Sequence, residues 1–211
     1  MREDNNEESY ELSPEAEAGL TLWQQASSFQ ELCELTARFI EGTIKYIPGY
    51  CAETLDEESQ PLVHYLAALN RAGFLTDQSQ PGFDEGHSKQ RAFVTGFASE
   101  AVAARIQRLS LTTDLYISVT RPGEMNGCRM PVTIEVFRPL TCAGDPGIDE
   151  ETGAFIELQH YGAVCGPTAF QELQEVCYIS VIDLCWGRTG YLWNELAKEL
   201  CFSLEPHDPS D

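Results

Sequence analysis

Several features that would have narrowed the function at once are missing from this chain. No run of about 18 apolar residues exists, so a membrane-spanning helix is not expected. The opening Met1-Arg2-Glu3-Asp4-Asn5-Asn6 lacks the basic and apolar regions of a signal peptide, and the expectation is an intracellular, cytoplasmic protein. There is no P-loop, no dinucleotide fingerprint and no Gly-x-Ser-x-Gly elbow. Basic residues are scarce: 13 Lys and Arg stand against 34 Asp and Glu, a net charge of -21. Such a charge repels phosphate backbones and argues against direct nucleic-acid binding, while it favours solubility or a basic protein partner. The eight cysteines form no Cys-x-x-Cys pair, and neither they nor the four well-separated histidines show zinc spacing. Reduced core thiols are therefore expected at Cys33, Cys177 and Cys201, and no metal or cofactor is assigned.

What is present describes one globular domain. At 211 residues, 43% of them hydrophobic, the chain suffices for a single sizeable core. Residues 1–18 carry seven acids and one arginine, without apolar periodicity, so residues 1–20 read as a flexible acidic arm and 204–211 as an acidic tail. Between them, 21–203 read as one α/β (or α+β) domain. Ser28 and Glu31 have capping-box spacing before an amphipathic helix reaching Ile44. A second helix is expected from Pro61 to Ala72, stopped by Gly73, with Phe74-Leu75-Thr76 as a short strand and 77–86 as a loop. Ser88 and Ser99 each look able to cap a further helix, the first holding Phe93, Val94 and Phe97. Alternation over Leu115–Thr120 and Val132–Phe137 predicts an antiparallel hairpin, and Ala154–Gln159 a further strand. Thr168–Glu175 reads as helix, Val176–Ile182 as a strand covered on both faces, and Gly187–Cys201 as a closing helix. The sum is a mixed sheet of about five strands flanked by helices.

Two polar clusters fall at expected strand ends, where α/β domains bind ligands. The first comprises Thr76, Ser79, Gln80 and the Pro81-Gly82 turn, followed by His87, Gln90 and Arg91 at an expected helix start, an arrangement suited to an anion or nucleotide. The second comprises Asp183, Trp186, Gly187 and Arg188, where an acid could bind a hydroxyl and an indole could stack. On the residues alone, each cluster reads more readily as an ordinary connection between elements. Cys165 lies near His160 in sequence, but no third group is implied, and a structural thiol is the simpler reading. Asp145, Asp149, Glu150 and Glu151 lack EF-hand spacing and read as a solvated loop. The catalytic residues are not legible.

The combination of Leu22-Trp23, the run Leu35 to Gly42, Pro48-Gly49-Tyr50, Leu69 to Phe74, Ser79-Gln80-Pro81-Gly82, Gln90-Arg91-Ala92, Gly96-Phe97, Val181-Ile182-Asp183, Trp186-Gly187-Arg188 and Leu192-Trp193 resembles a family of actinobacterial and phage proteins, the domain of unknown function numbered 6919. The resemblance spans most of 22–200; its specific parts are the Ser-Gln-Pro-Gly and Trp-Gly-Arg blocks. It implies a single domain and draws attention to both polar clusters, without supplying an activity. Two functional expectations stand. One is a domain binding a nucleotide-like or other polar metabolite through Thr76, Ser79, Gln80, Gly82, Gln90, Arg91, Asp183, Trp186 and Arg188, binding being favoured over catalysis. The other is an acidic protein-interaction module, such as a phage inhibitor of a basic host or defence protein, acting in the bacterial cytoplasm.

Overall fold

A computed structural model of the chain describes residues 12–124, 129–135, 138–144, 146–149 and 151–200. Among these, seven helices and seven strands form one α+β domain: α1 (Pro14–Gln25), α2 (Phe29–Ile40), α3 (Val63–Arg71), β1 (Phe74–Gln80), β2 (Phe83–Glu85), β3 (Ser88–Ala98), α4 (Glu100–Arg108), β4 (Leu115–Thr120), β5 (Arg129–Glu135), β6 (Arg138–Gly144), α5 (Gln159–Gly162), α6 (Pro167–Gln174), β7 (Cys177–Trp186) and α7 (Tyr191–Leu200). Each pairing between named strands is antiparallel. The path runs β4-β7-β3-β5-β6, with β1 and β2 also paired to β3.

β3 organises the sheet. Its first residues, Ser88 to Gln90, pair with β2 and β5, whereas its later residues pair with β1 and β7. The helix expected from Ser88 is therefore strand. Ala92 to Ala98 is buried without interruption, and an apolar run covered on both faces carries no period to separate the two structures. Consequently no helix N-terminus exists beside Gln90 and Arg91. The loop expected over 77–86 is likewise mostly β1 and β2.

Other differences have similarly local causes. The arm drawn to residue 20 gives way at Pro14 to α1, with Ser13 Oγ accepting from Ala16 N–H at 3.1 Å and Trp23 fully buried. Glu15 and Glu17 lie in its first turn, where acids suit the helix dipole. Residues 1–11 and the tail lie outside the described residues. β4 and β5 do not pair as a hairpin: β4 lies against β7, and β5 against β3 and β6. Alternation identifies a strand but not its partner. Ala154–Gln159 holds one bridge, Phe155 to Ile148, then a short 3-10 turn, not a strand.

Helices cover both faces. On one side Leu66, Leu69, Phe74, Val94, Ile106, Ile179, Val181, Trp193 and Leu196 share a core; on the other Trp23, Leu32, Phe39, Leu75, Phe97, Phe155, Tyr161, Leu173 and Tyr178 do. β7, between β3 and β4, is the doubly covered strand its composition implied. No helix of the described residues is long and apolar enough to cross a membrane.

Candidate functional site

The two motif blocks expected at separate strand ends pack on one another. A Cβ placed on Gly82 would lie 2.5 Å from the Arg188 carbonyl oxygen, and one on Gly187 (φ +73°) 2.6 Å from Asp84 Cβ. Gly187 N–H donates to the Gln90 carbonyl at 2.9 Å. Asp183 is fully buried and accepts from Arg188 at 2.7 Å (Nε) and 2.6 Å (Nη2), and from Cys185 N–H at 2.8 Å. Arg188 also reaches Asp114 at 2.8 Å and lies 3.8 Å over the Tyr191 ring. These contacts hold the guanidinium above its ordinary pKa, the Asp183 bonds most of all. Arg91 stacks 4.2 Å over Trp186 and donates to the Pro131 carbonyl. Burial pushes its pKa down, with the Asp183 charge opposing. Its Nε is buried without a partner. Gln80, also buried, donates to the Arg91 and Val132 carbonyls and accepts from Thr133 Oγ1, tying β1, β3 and β5 together. Gln80, Gly82, Gln90, Asp183 and Arg188 thus have defined work inside the fold.

Thr76 and Ser79 face elsewhere, into a cavity of about 420 Å³ between β1, α2, the 47–59 segment and α5. Residues 76–79 all line it. A regular strand cannot present four consecutive side chains to one space, because they alternate between faces. Here the register slips: Thr76 pairs with Gly96 and Gln78 with Thr95, leaving Asp77 as the extra residue of a β-bulge. Two features hold the slip. The fully buried Asn70 donates to Thr76 Oγ1 at 2.8 Å and accepts from Thr76 N–H at 3.1 Å, joining the end of α3 to β1. Opposite, a Cβ on Gly96 would lie 2.1 Å from the Leu75 oxygen, so the close approach requires glycine.

Asp77 lines the cavity as an exposed residue, with protein atoms gathered about its carboxyl. Desolvation by those atoms, reinforced by the charge of Glu157, pushes the carboxyl from 3.8 up to about 7. The Tyr178 hydroxyl, 3.5 Å from Oδ2, acts in the opposite sense. Glu157 accepts from Gly147 N–H at 3.1 Å with one oxygen, and its other oxygen is buried without a partner. Tyr161, in the cavity wall, has its phenol held well above the ordinary value by burial and then by Asp77. Tyr50 meets Phe39 edge-on at 5.9 Å, and burial followed by Asp56 pushes its hydroxyl up to about 12. His160 lines the cavity and backs onto Gly49, whose φ of +80° and proximity (2.7 Å from an added Cβ to His160 Cγ) leave no room for a side chain.

Sequence reasoning did not find Asp77, Glu157, Tyr178, Tyr161 or Tyr50 as a group. Asp77 sat in an expected loop, and a bulge has no residue signature. In the sequence, His160 draws notice only beside Cys165. That thiol packs into the second core, and burial raises it to about 12, far from thiolate character. Cys33 and Cys177 are buried free thiols; Cys201 lies outside the described residues. Asp149 accepts from Glu151 N–H, Thr152 N–H and Thr152 Oγ1, making a turn; Asp145 and Glu150 lie outside the described residues.

Fold and site define an α+β domain with a helix-covered antiparallel sheet and an acid-bearing cavity at a bulge in β1. The chain belongs to the family described as Domain of unknown function (DUF6919), whose model matches residues 19–203. No curated protein matches the chain.

Proposed function

We propose that this domain binds a small polar molecule in the cavity at the β1 bulge, with Asp77 as the principal polar contact. The observation that supports this reading is the cavity itself. It has room for a metabolite, a wall of Phe39, Phe93, Tyr50 and Tyr161, and a lining acid whose carboxyl is pushed up to about 7. Binding is favoured over turnover because the nucleophile candidate, Cys165, is held as a thiol. The ligand expectation thus moves from the Arg91 and Asp183 cluster to a neighbouring place that shares Thr76 and Ser79 with it. Incubating the purified protein with a small-molecule cell extract, followed by mass spectrometry, tests the proposal. A compound retained by the native protein and lost from Ser79→Phe, which fills the cavity, is expected. Equal retention by both proteins, or none by either, would overturn it.

A further inference from the structure

Among the described residues, the charged groups lining the cavity are of one sign: Asp56 and Asp77, with neither lysine nor arginine. Glu157 adds a further acid acting on Asp77, with an unpartnered buried oxygen, and Glu58 acts on Tyr50. The remaining titratable groups facing Asp77 and the cavity are His160 and Tyr161 from α5, Tyr178 from β7 and Tyr50 from the 47–50 turn. Cys165 and Cys33 act on Tyr161 from behind. An anionic ligand would meet like charge and find no guanidinium or ammonium to offset it. A neutral ligand would leave two acids without a counter-charge.

The aromatic wall adds an independent observation. Phe39, Tyr50, Phe93 and Tyr161 come from four different segments and all border the same space. Ring faces carry partial negative charge and attract an ammonium, most strongly where water is excluded. Aromatic surfaces and carboxylates bordering one space together suit a body that is apolar at one end and cationic at the other.

Building on the small-molecule reading, we infer that the cavity selects an organic cation, an amine with an apolar or aromatic body, whose ammonium pairs with Asp77 beside Asp56. This reverses the anion or nucleotide expectation drawn from Arg91. The ionised form of Asp77 is the one that attracts a cation. An amine therefore displaces the proton that Asp77 otherwise holds up to about pH 7, and affinity rises as pH increases through that value.

Calorimetric titration with phenethylamine, 2-phenylethanol and phenylacetate, which share one body and differ in charge, separates the cases. The amine should bind at least about tenfold more tightly than the alcohol at pH 8, a preference worth about 1.4 kcal/mol, and phenylacetate should bind more weakly than either. Asp77→Asn should remove the preference and the rise in amine affinity between pH 6 and 8. Asp56→Asn, farther from the bulge, should weaken the amine without abolishing the pH dependence, and keeps the test usable if Asp77→Asn folds poorly. Phenylacetate or the alcohol binding as well as the amine, in a manner lost in Ser79→Phe, would overturn the charge selection and leave the small-molecule reading standing. Failure of all three probes, joined to an extract from which nothing is retained, would overturn both.

Discussion

The carboxyl of Asp77 ionises near 7 in the folded protein and near 3.8 when the chain is unfolded. Between those values the folded state holds a proton that the unfolded state has lost, so Asp77 subtracts stability as pH rises across that window. Asp77→Asn should therefore raise the thermal midpoint at pH 8 and leave it nearly unchanged at pH 4. Because Asp77 is solvent-exposed, screening discounts the effect and the gain should be small. Equal shifts at both pH values in scanning calorimetry would contradict this account. Arg188 presents the opposite situation, because its partner Asp183 is fully buried. Arg188→Ala should destabilise the fold by about 3–5 kcal/mol by leaving a buried acid without its counter-charge. Arg188→Lys should recover little, since one ammonium cannot make two parallel bonds to the carboxylate. Urea unfolding of the two variants checks both statements.

Among the elements, β1 decides whether a cavity exists. Its bulge rests on Asn70 from α3 and on the glycine opposite it in β3. Asn70→Ala removes a donor and an acceptor, leaving Thr76 N–H buried, and should cost about 1–3 kcal/mol. The same change should speed amide exchange in residues 76–79 more than in β7, which exchange mass spectrometry can resolve. Uniform acceleration would mean that Asn70 supports the whole domain and not the bulge. Gly96→Ala should cost more, because the added methyl meets backbone that cannot turn aside. The Ser-Gln-Pro-Gly and Trp-Gly-Arg blocks act at this level too: they carry the glycines that let the β1–β2 turn seat against the end of β7. Such blocks stand out in sequence for packing reasons as readily as for ligand contact.

For the molecule as a whole, a net charge of -21 on 211 residues means that folding gathers like charges. Ion pairs such as Arg71 with Glu34 and Glu41, at 3.1 and 2.5 Å, offset only part of this. Raising sodium chloride from about 0.02 to 0.3 M should raise the melting temperature, since the Debye length falls well below 10 Å over that range. A melting temperature that falls with salt would show that specific pairs outweigh the general repulsion.

How far the chain announced itself depends on the kind of information. Helix starts at Ser28 and Ser99 and the stop at Gly73 were legible because each depends on a residue and its near neighbours: Ser28 Oγ accepts from Glu31 N–H, Ser99 Oγ from Val102 N–H, and Gly73 takes φ +87°. The doubly covered strand at β7 was legible for the same local reason, an apolar run with few polar breaks. Pairing was not, because hydrogen bonding between strands is backbone to backbone and leaves almost no mark on side-chain choice. Hence the run in β3 suits helix as well as strand, and the alternation of β4 and β5 names no partner. The cavity depended on more distant matters still. Asp77 acquires its raised pKa because protein atoms from separate segments gather about it and the charge of Glu157, 80 positions away, is folded near it, with the Tyr178 hydroxyl, 101 positions away, opposing the rise. Sequence alone determined one acidic α+β domain and its family. Tertiary structure decided which carboxylate would line the cavity, since a cavity arises from the packing of separate segments.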